Sequence, residues 1–287
     1  MYHLKKIIKK LVFSNIHLEH LYHYLALKIS YERIKESPFG LKNMSNKEVY
    51  LELFENAKSI NYENVIKYEK HVGFEIDKNW LDDLALLTQV TIKNSELCYA
   101  HGRVIYSTLR NYLQSTKERN ISILETGTSK GFSSICMAKA LSDDNFKGSI
   151  SSIDIIPSDK EIYWNSVSDF EGKKNRYQML NKWKKLIDEY ILFCEGTSKK
   201  ILKTLQLERI HFAFLDGSHT YYDVLNEFRF VAKRQKVNDV IIVDDYNKQY
   251  KGLVLAANKM SIKYNYSNKI IEANKNRSYL ICIKNEN

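Results

Sequence analysis

Through the first 117 residues apolar positions recur at helical spacing, most clearly over 49–57, 80–92 and 98–113, and helices are predicted there. The clear break is Ser37-Pro38-Phe39-Gly40, which divides an N-terminal helical arm from a helical cap within residues 1–118. After Arg119 the texture changes. Short β-rich runs at 121–125, 149–155, 190–194, 210–215 and 240–243 alternate with amphipathic stretches at 132–141, 176–185, 199–205 and 222–233. Such alternation predicts a parallel sheet with helices on both faces. A helical stretch at 253–260 precedes two strand-like runs, 269–272 and 279–283, close enough to pair as an antiparallel hairpin. Residues 119–287 thus read as an α/β, doubly wound, mostly parallel seven-stranded sheet ending in that hairpin.

Composition narrows the picture. With 287 residues, 44% of them hydrophobic, the chain can bury a sizeable core. The formal charge of +10 is spread along the whole sequence, so a solvated basic surface accounts for it and no nucleic-acid partner follows. Cys98, Cys136, Cys194 and Cys282 are far apart, with no metal-ligand spacing; the last three lie in apolar runs, as small hydrophobes in a reducing cytoplasm would. No signal peptide or membrane span is apparent. Leu4-Lys5-Lys6-Ile7-Ile8-Lys9-Lys10-Leu11-Val12-Phe13 has the amphipathic, basic pattern of a peripheral membrane helix, although such stripes more often pack on their own protein. An exposed helical arm would also serve as a homodimer contact.

The chemistry begins where Ile121-Ser122-Ile123-Leu124-Glu125 runs into Gly127 and Gly131 before a helix. A tight strand-to-helix turn needs residues without Cβ where the backbone bends or approaches a ligand. Ser129 stands where the dinucleotide fingerprint would have another glycine, which argues for a smaller zwitterionic ligand whose amine Glu125 would help neutralise. Asp154, ending the next strand, is placed to accept both hydroxyls of a ribose. The third strand ends in Glu195-Gly196-Thr197-Ser198, a turn with small polar groups suited to an adenine edge; a helix cap is an equally economical role for Ser198.

Leu-Glu-Thr-Gly-Thr-Ser-Lys-Gly-Phe-Ser-Ser from Leu124, then Asp154, Phe-Leu-Asp-Gly-Ser-His at 214–219 and Val-Asp-Asp-Tyr at 243–246 resemble class I S-adenosylmethionine-dependent methyltransferases related to catechol O-methyltransferase. The nearer likeness is to bacterial sugar and macrolide O-methyltransferases. It covers the chain from about Ile121 onward, and the preceding helices carry little of it. The resemblance implies a Rossmann-like class I fold and an S-adenosylmethionine site formed by Glu125, Gly127, Thr128, Ser129, Gly131, Ser133, Asp154, Gly196, Thr197, Ser198 and Asp216. It also implies Mg²⁺ at Asp216, Asp244 and Asp245.

The residues themselves allow that ion, because three carboxylates converging on one crevice repel one another unless a cation intervenes. A metal-free reading leaves Asp216 on cofactor or loop backbone and Asp244 and Asp245 as caps. His219, three residues past Asp216, is the candidate general base, its imidazole titrating near neutrality; Tyr246 and Lys248 are alternative proton acceptors. A lid would be sought at Tyr99-Ala100-His101-Gly102-Arg103, where a plain packing helix is the simpler account.

The expected activity is methyl transfer to a hydroxyl of a small molecule or saccharide. An RNA methyltransferase and a catalytically silent binding protein of the same fold are the rivals. Against the first, the fourth strand end lacks an Asn/Asp-Pro-Pro-aromatic tetrapeptide, and Pro38 and Pro157 are the only prolines.

Overall fold

The computed structural model describes residues 15–41 and 44–286; the basic segment 4–13 lies outside them. Helix α1 (Ile16–Glu36) starts where the Asn15 side chain accepts from His17 and Leu18 N–H. Asn46 and Asp77 cap α2 (Lys47–Lys58) and α4 (Lys78–Thr88) in the same way. Between these two, α3 (Glu63–Val72) ends at Gly73, whose φ of 82° turns the chain out of the helix. Helix α5 (Ala100–Ser115) completes the N-terminal region.

The helix expected over 80–92 stops four residues early, at Thr88. The cause is tertiary. Asn165 accepts from the Ile92 N–H (3.2 Å) and donates to its carbonyl (3.0 Å), so a side chain pairs this backbone as a neighbouring strand would. Residues 89–99 become an irregular strap without helix or strand.

The sheet comprises β1 (Asn120–Thr126), β2 (Lys147–Asp154), β3 (Ile191–Glu195), β4 (Phe212–Leu215), β5 (Val240–Val243), β6 (Tyr266–Asn274) and β7 (Arg277–Lys284). Its order is β3-β2-β1-β4-β5-β7-β6; the first five are parallel, and β7 runs antiparallel to both β5 and β6. The order reverses between β1 and β4, and ligands of open α/β sheets bind in the crevice beyond the strand ends at such a point. Helices α6 (Phe132–Asp143), α7 (Lys184–Tyr190), α8 (Ser198–Thr204), α9 (Tyr221–Ala232) and α10 (Lys251–Lys263) cover the two faces. The single helix expected at 176–185 is instead a helical turn (Arg176–Met179), a 3₁₀ turn (Asn181–Trp183) and the start of α7. Leu180, wholly buried at the break, packs its Cδ1 where a Cβ on Gly131 would fall, so this kink seats the segment on the glycine turn.

Alternation along the strands builds two cores. Ile123, Phe212, Phe214 and Ile242 join α6 and the N-terminal helices on one face, whereas Leu124, Ala213, Leu215 and Ile241 pack with α9 and α10 on the other. Each fully buried aliphatic or phenylalanine side chain stabilises the fold by roughly 1.5–3 kcal/mol. The helices before residue 119 therefore share a core with the sheet. All four cysteines are free; Cys194, expected inside, is only half-buried because β3 is an edge strand. No described helix is long and apolar enough to cross a membrane.

Candidate active site

Gly127 and Gly131 have φ of 91° and 92°, in the left-handed region. A Cβ on Gly127 would lie 2.0 Å from the carbonyl oxygen of Asp216, so no other residue allows the β1 and β4 loops to meet so closely. Ser129 is also left-handed (φ 48°), a strain of about 1 kcal/mol or more for a residue with a side chain. Two partners hold it there. Its N–H donates to Asp154 Oδ2 (2.6 Å), and its carbonyl accepts from Arg176 Nε (3.1 Å) and Nη2 (2.9 Å). Arg176, missed in the sequence, is buried and also donates to the Ile156 carbonyl.

Asp154 uses its other oxygen to accept from Ile156 N–H (2.8 Å). Each carboxylate oxygen keeps a lone pair, so hydroxyl donors from a ribose remain possible partners. Glu125 is placed differently from the expectation. It is wholly buried and accepts from the hydroxyls of Ser133, Ser134 and Ser152, while Thr128 is bonded to Ser152. Burial pushes its carboxyl up to about 7, against the pull of those three hydroxyls. Glu125 therefore braces β1, β2 and α6 from behind the loop and offers no exposed countercharge to an amine. Gly196 donates to the Asp154 carbonyl (2.7 Å). Thr197, not Ser198, is the N-cap of α8 and makes no side-chain cap bond; the Ser198 hydroxyl lies near Glu227 without a hydrogen bond to it. Glu227, buried beneath the loop, accepts from Thr126 Oγ1 (2.9 Å), and burial raises it to about 7.

At the ends of β4 and β5, His219 Nε2 lies 3.4 Å from Asp216 Oδ1 and 3.6 Å from Asp245 Oδ2. Burial opposes protonation of this imidazole, but Asp216, Asp245 and Asp244 outweigh it and hold its pKa above the ordinary value. Asp216 is held below its own ordinary value by His219 and Arg277, against the effect of burial. Tyr250, a second residue that sequence reasoning missed, covers the ring at a centroid distance of 4.5 Å.

The three carboxylates do not converge as one set. Asp244 is wholly buried, accepts from Asp245 N–H (2.7 Å) and faces Arg277 Nη2 at 3.2 Å, while Arg277 Nη1 pairs with Asp245. Burial and the neighbouring Asp216 push Asp244 well above the ordinary carboxylate range, with Arg277 pulling it back. The groups close enough to share a cation are Asp216, His219 and Asp245, whose ligand atoms lie within 4.8 Å of one another. Arg277 comes from β7, thirty-two residues from its partner in sequence, and no local motif announces it. Of the alternative bases, Tyr246 donates to Asn258 (2.8 Å) and Lys248 is exposed.

Residues 99–103 are packing residues. Tyr99 donates to Asp82 (2.7 Å), Arg103 pairs with Glu69, and His101 lies buried against Phe132 and Phe214. Helix α1 touches the chain just beyond His219: His20 Nδ1 meets Thr220 Oγ1 at 3.1 Å and His17 Nδ1 meets the Tyr222 hydroxyl at 2.6 Å. The strap contributes Lys93. It makes no hydrogen bond or ion pair among the described residues, yet its ammonium feels Arg277, Asp245 and Asp216, and burial lowers its pKa.

Sheet order and the antiparallel C-terminal pair of strands are those of the class I methyltransferase fold. Residues 124–246 match the family model described as a methyltransferase domain. Among solved structures of similar fold is the O-methyltransferase NovP (15% identity, TM-score 0.54), aligned over 72% of this chain and 99% of that one. Cofactor-bound Rv0187 from MTB (16%, 0.52) and the O-methyltransferase TomG from Streptomyces achromogenes (17%, 0.51), involved in tomaymycin synthesis and complexed with SAM, each align over 74% of this chain and 92% of their own. No curated protein matches the sequence significantly.

Proposed function

We propose that the chain transfers the methyl group of S-adenosylmethionine to a hydroxyl of a small molecule or saccharide. The observation that carries this reading is the pairing of His219 with Asp216 at the point where the Asp216 backbone closes on Gly127. A proton acceptor thereby stands beside the loop on which the donor would lie. The fold shared with NovP and TomG, both described as O-methyltransferases, supports the choice of oxygen as acceptor. S-adenosylmethionine bound there would supply the methyl group, its C–S bond exchanged for the new O–C bond, and the His219 imidazole would take the hydroxyl proton. The Gly127–Gly131 turn and Asp154 hold the nucleoside, and the carboxylates orient the imidazole.

Asp216 and Asp245 offer oxygen donors of the kind Mg²⁺ prefers, whereas His219 is a nitrogen donor and stays free for the proton. Mg²⁺ bound there would polarise the acceptor hydroxyl and lower its pKa. Asp244, turned to Arg277, stands behind that pair. Calorimetry tests the nucleoside site: S-adenosylhomocysteine should release heat on binding, Asp154→Ala should weaken it about tenfold or more, and no heat with wild-type protein would sink the reading. Metal is tested separately. EDTA should abolish methyl transfer and Mg²⁺ restore it, with Mg²⁺ also raising the melting temperature of wild type but not of Asp216→Asn; indifference on both counts removes the ion.

A further inference from the structure

A cavity of about 430 Å³ opens between the cofactor turn and the 37–40 break, within the range of small-molecule sites. Its walls hold two ammonium groups, Lys93 and Lys130, and no carboxylate. Phe39 and Ile92 supply apolar surface, and the Gln89 and Thr91 side chains lining it have no hydrogen-bond partner among the described residues. Lys130 is almost wholly buried, its Nζ donating to the Asn165 carbonyl (3.2 Å) and lying 5.1 Å over the Phe39 ring. Lys93 is open to solvent although the surrounding protein depresses its pKa, as expected of a side chain that lines a concavity. Ser129 and Lys130 of the cofactor turn form one wall, so the cavity opens directly beside the place where the methyl donor would lie.

We propose that this cavity binds the methyl acceptor and that Lys93 and Lys130 receive an anionic group on it, a carboxylate or a phosphate. The inference rests on the methyl-transfer reading and names the substrate class. Two lysines in a concavity without a lining carboxylate favour an anion and, of the two sources of one, the acceptor fits better than the carboxylate of the cofactor itself. Pro38, Phe39, Thr88, Gln89, Thr91, Ile92 and Lys93 all lie outside the segment 124–246 that matches the methyltransferase family. A cavity built mainly from elements outside the common domain suits the reactant that differs between enzymes.

Inorganic phosphate is the probe. Titrated at constant ionic strength into full-length protein saturated with S-adenosylhomocysteine, it should bind, and Lys93→Gln should weaken it about tenfold while Lys147→Gln, at the opposite end of the sheet, leaves it unchanged. Lys130→Met should act like Lys93→Gln; should it fail to fold, Lys93→Gln decides. S-adenosylhomocysteine should bind Lys93→Gln as it binds wild type. Three results overturn the proposal: no phosphate binding, binding that disappears when S-adenosylhomocysteine is added, or a Lys93→Gln loss in affinity for S-adenosylhomocysteine but not for 5′-methylthioadenosine. The last two assign the anion site to the cofactor's carboxylate. Failure of wild type to bind S-adenosylhomocysteine is a distinct outcome that removes the underlying function.

Discussion

Asp245 has a φ of 50°, and with Ser129 it is one of two left-handed residues other than glycine at the site. Backbone strain of this kind persists only where surrounding contacts over-determine it. At Asp245 those contacts are Arg277 on its carboxylate and Asp244 on its N–H. The result aims Asp245 Oδ2 at His219. The two carboxylates beside the ring raise its pKa, so the imidazole is more fully protonated near neutrality than an isolated histidine and becomes a base only as pH rises. We therefore expect the imidazole in metal-free protein, followed by NMR, to titrate above the usual histidine value, and Asp245→Asn to lower that pKa. His219→Ala should lower turnover roughly 10²–10⁴-fold with unchanged affinity for S-adenosylhomocysteine. A titration that ignores Asp245→Asn, or near-normal turnover of the alanine variant, counts against this role. Asp216, Asp245 and His219 were legible from adjacent motifs; Arg277, Tyr250 and Lys93 were not, because each reaches the site from an element distant in sequence.

At the scale of elements, α5 and α6 meet through Gly102. A Cβ there would lie 2.7 Å from the Phe132 ring, the first residue of the helix that follows the glycine turn. Gly102→Ala should destabilise the protein by about 1–3 kcal/mol in denaturant titrations, since overpacking a closed helix contact displaces both partners. An unchanged midpoint would show that Phe132 yields easily. Helix α1 inverts the usual polarity: it turns Glu19 and His20 toward the body and leaves Leu18, Leu21, Leu25 and Ile29 exposed. Periodicity alone does not assign the faces of such a helix, because what it packs against is the polar start of α9. The strap at 89–99 carries a related lesson, since helical spacing runs on to Ile92 and the partner that ends the helix, Asn165, is seventy-three residues away.

The whole molecule carries buried carboxyls on both sides of β1. Glu125 and Glu227 are both raised to about 7 by burial. A carboxyl whose folded pKa exceeds its unfolded value near 4.5 contributes stability that is fully present below that value and is lost as pH rises through about 7. Thermal stability should therefore fall between pH 5 and 8, and Glu125→Gln should flatten the fall. Identical pH dependence in the two proteins would show that Glu125 titrates normally.

What the sequence determined alone is the order of strands and helices, the glycine turn at the first strand end and the acidic ends of the fourth and fifth. These depend on periodicity and on residue types a few positions apart, and such interactions are local. Tertiary structure alone decided that Glu125 braces the loop from behind, that Arg277 holds Asp244 apart from Asp216 and His219, and that Lys93 lines a cavity beside the glycine turn. Those depend on burial and on Coulomb interactions between distant segments, which act only once the sheet has brought them together.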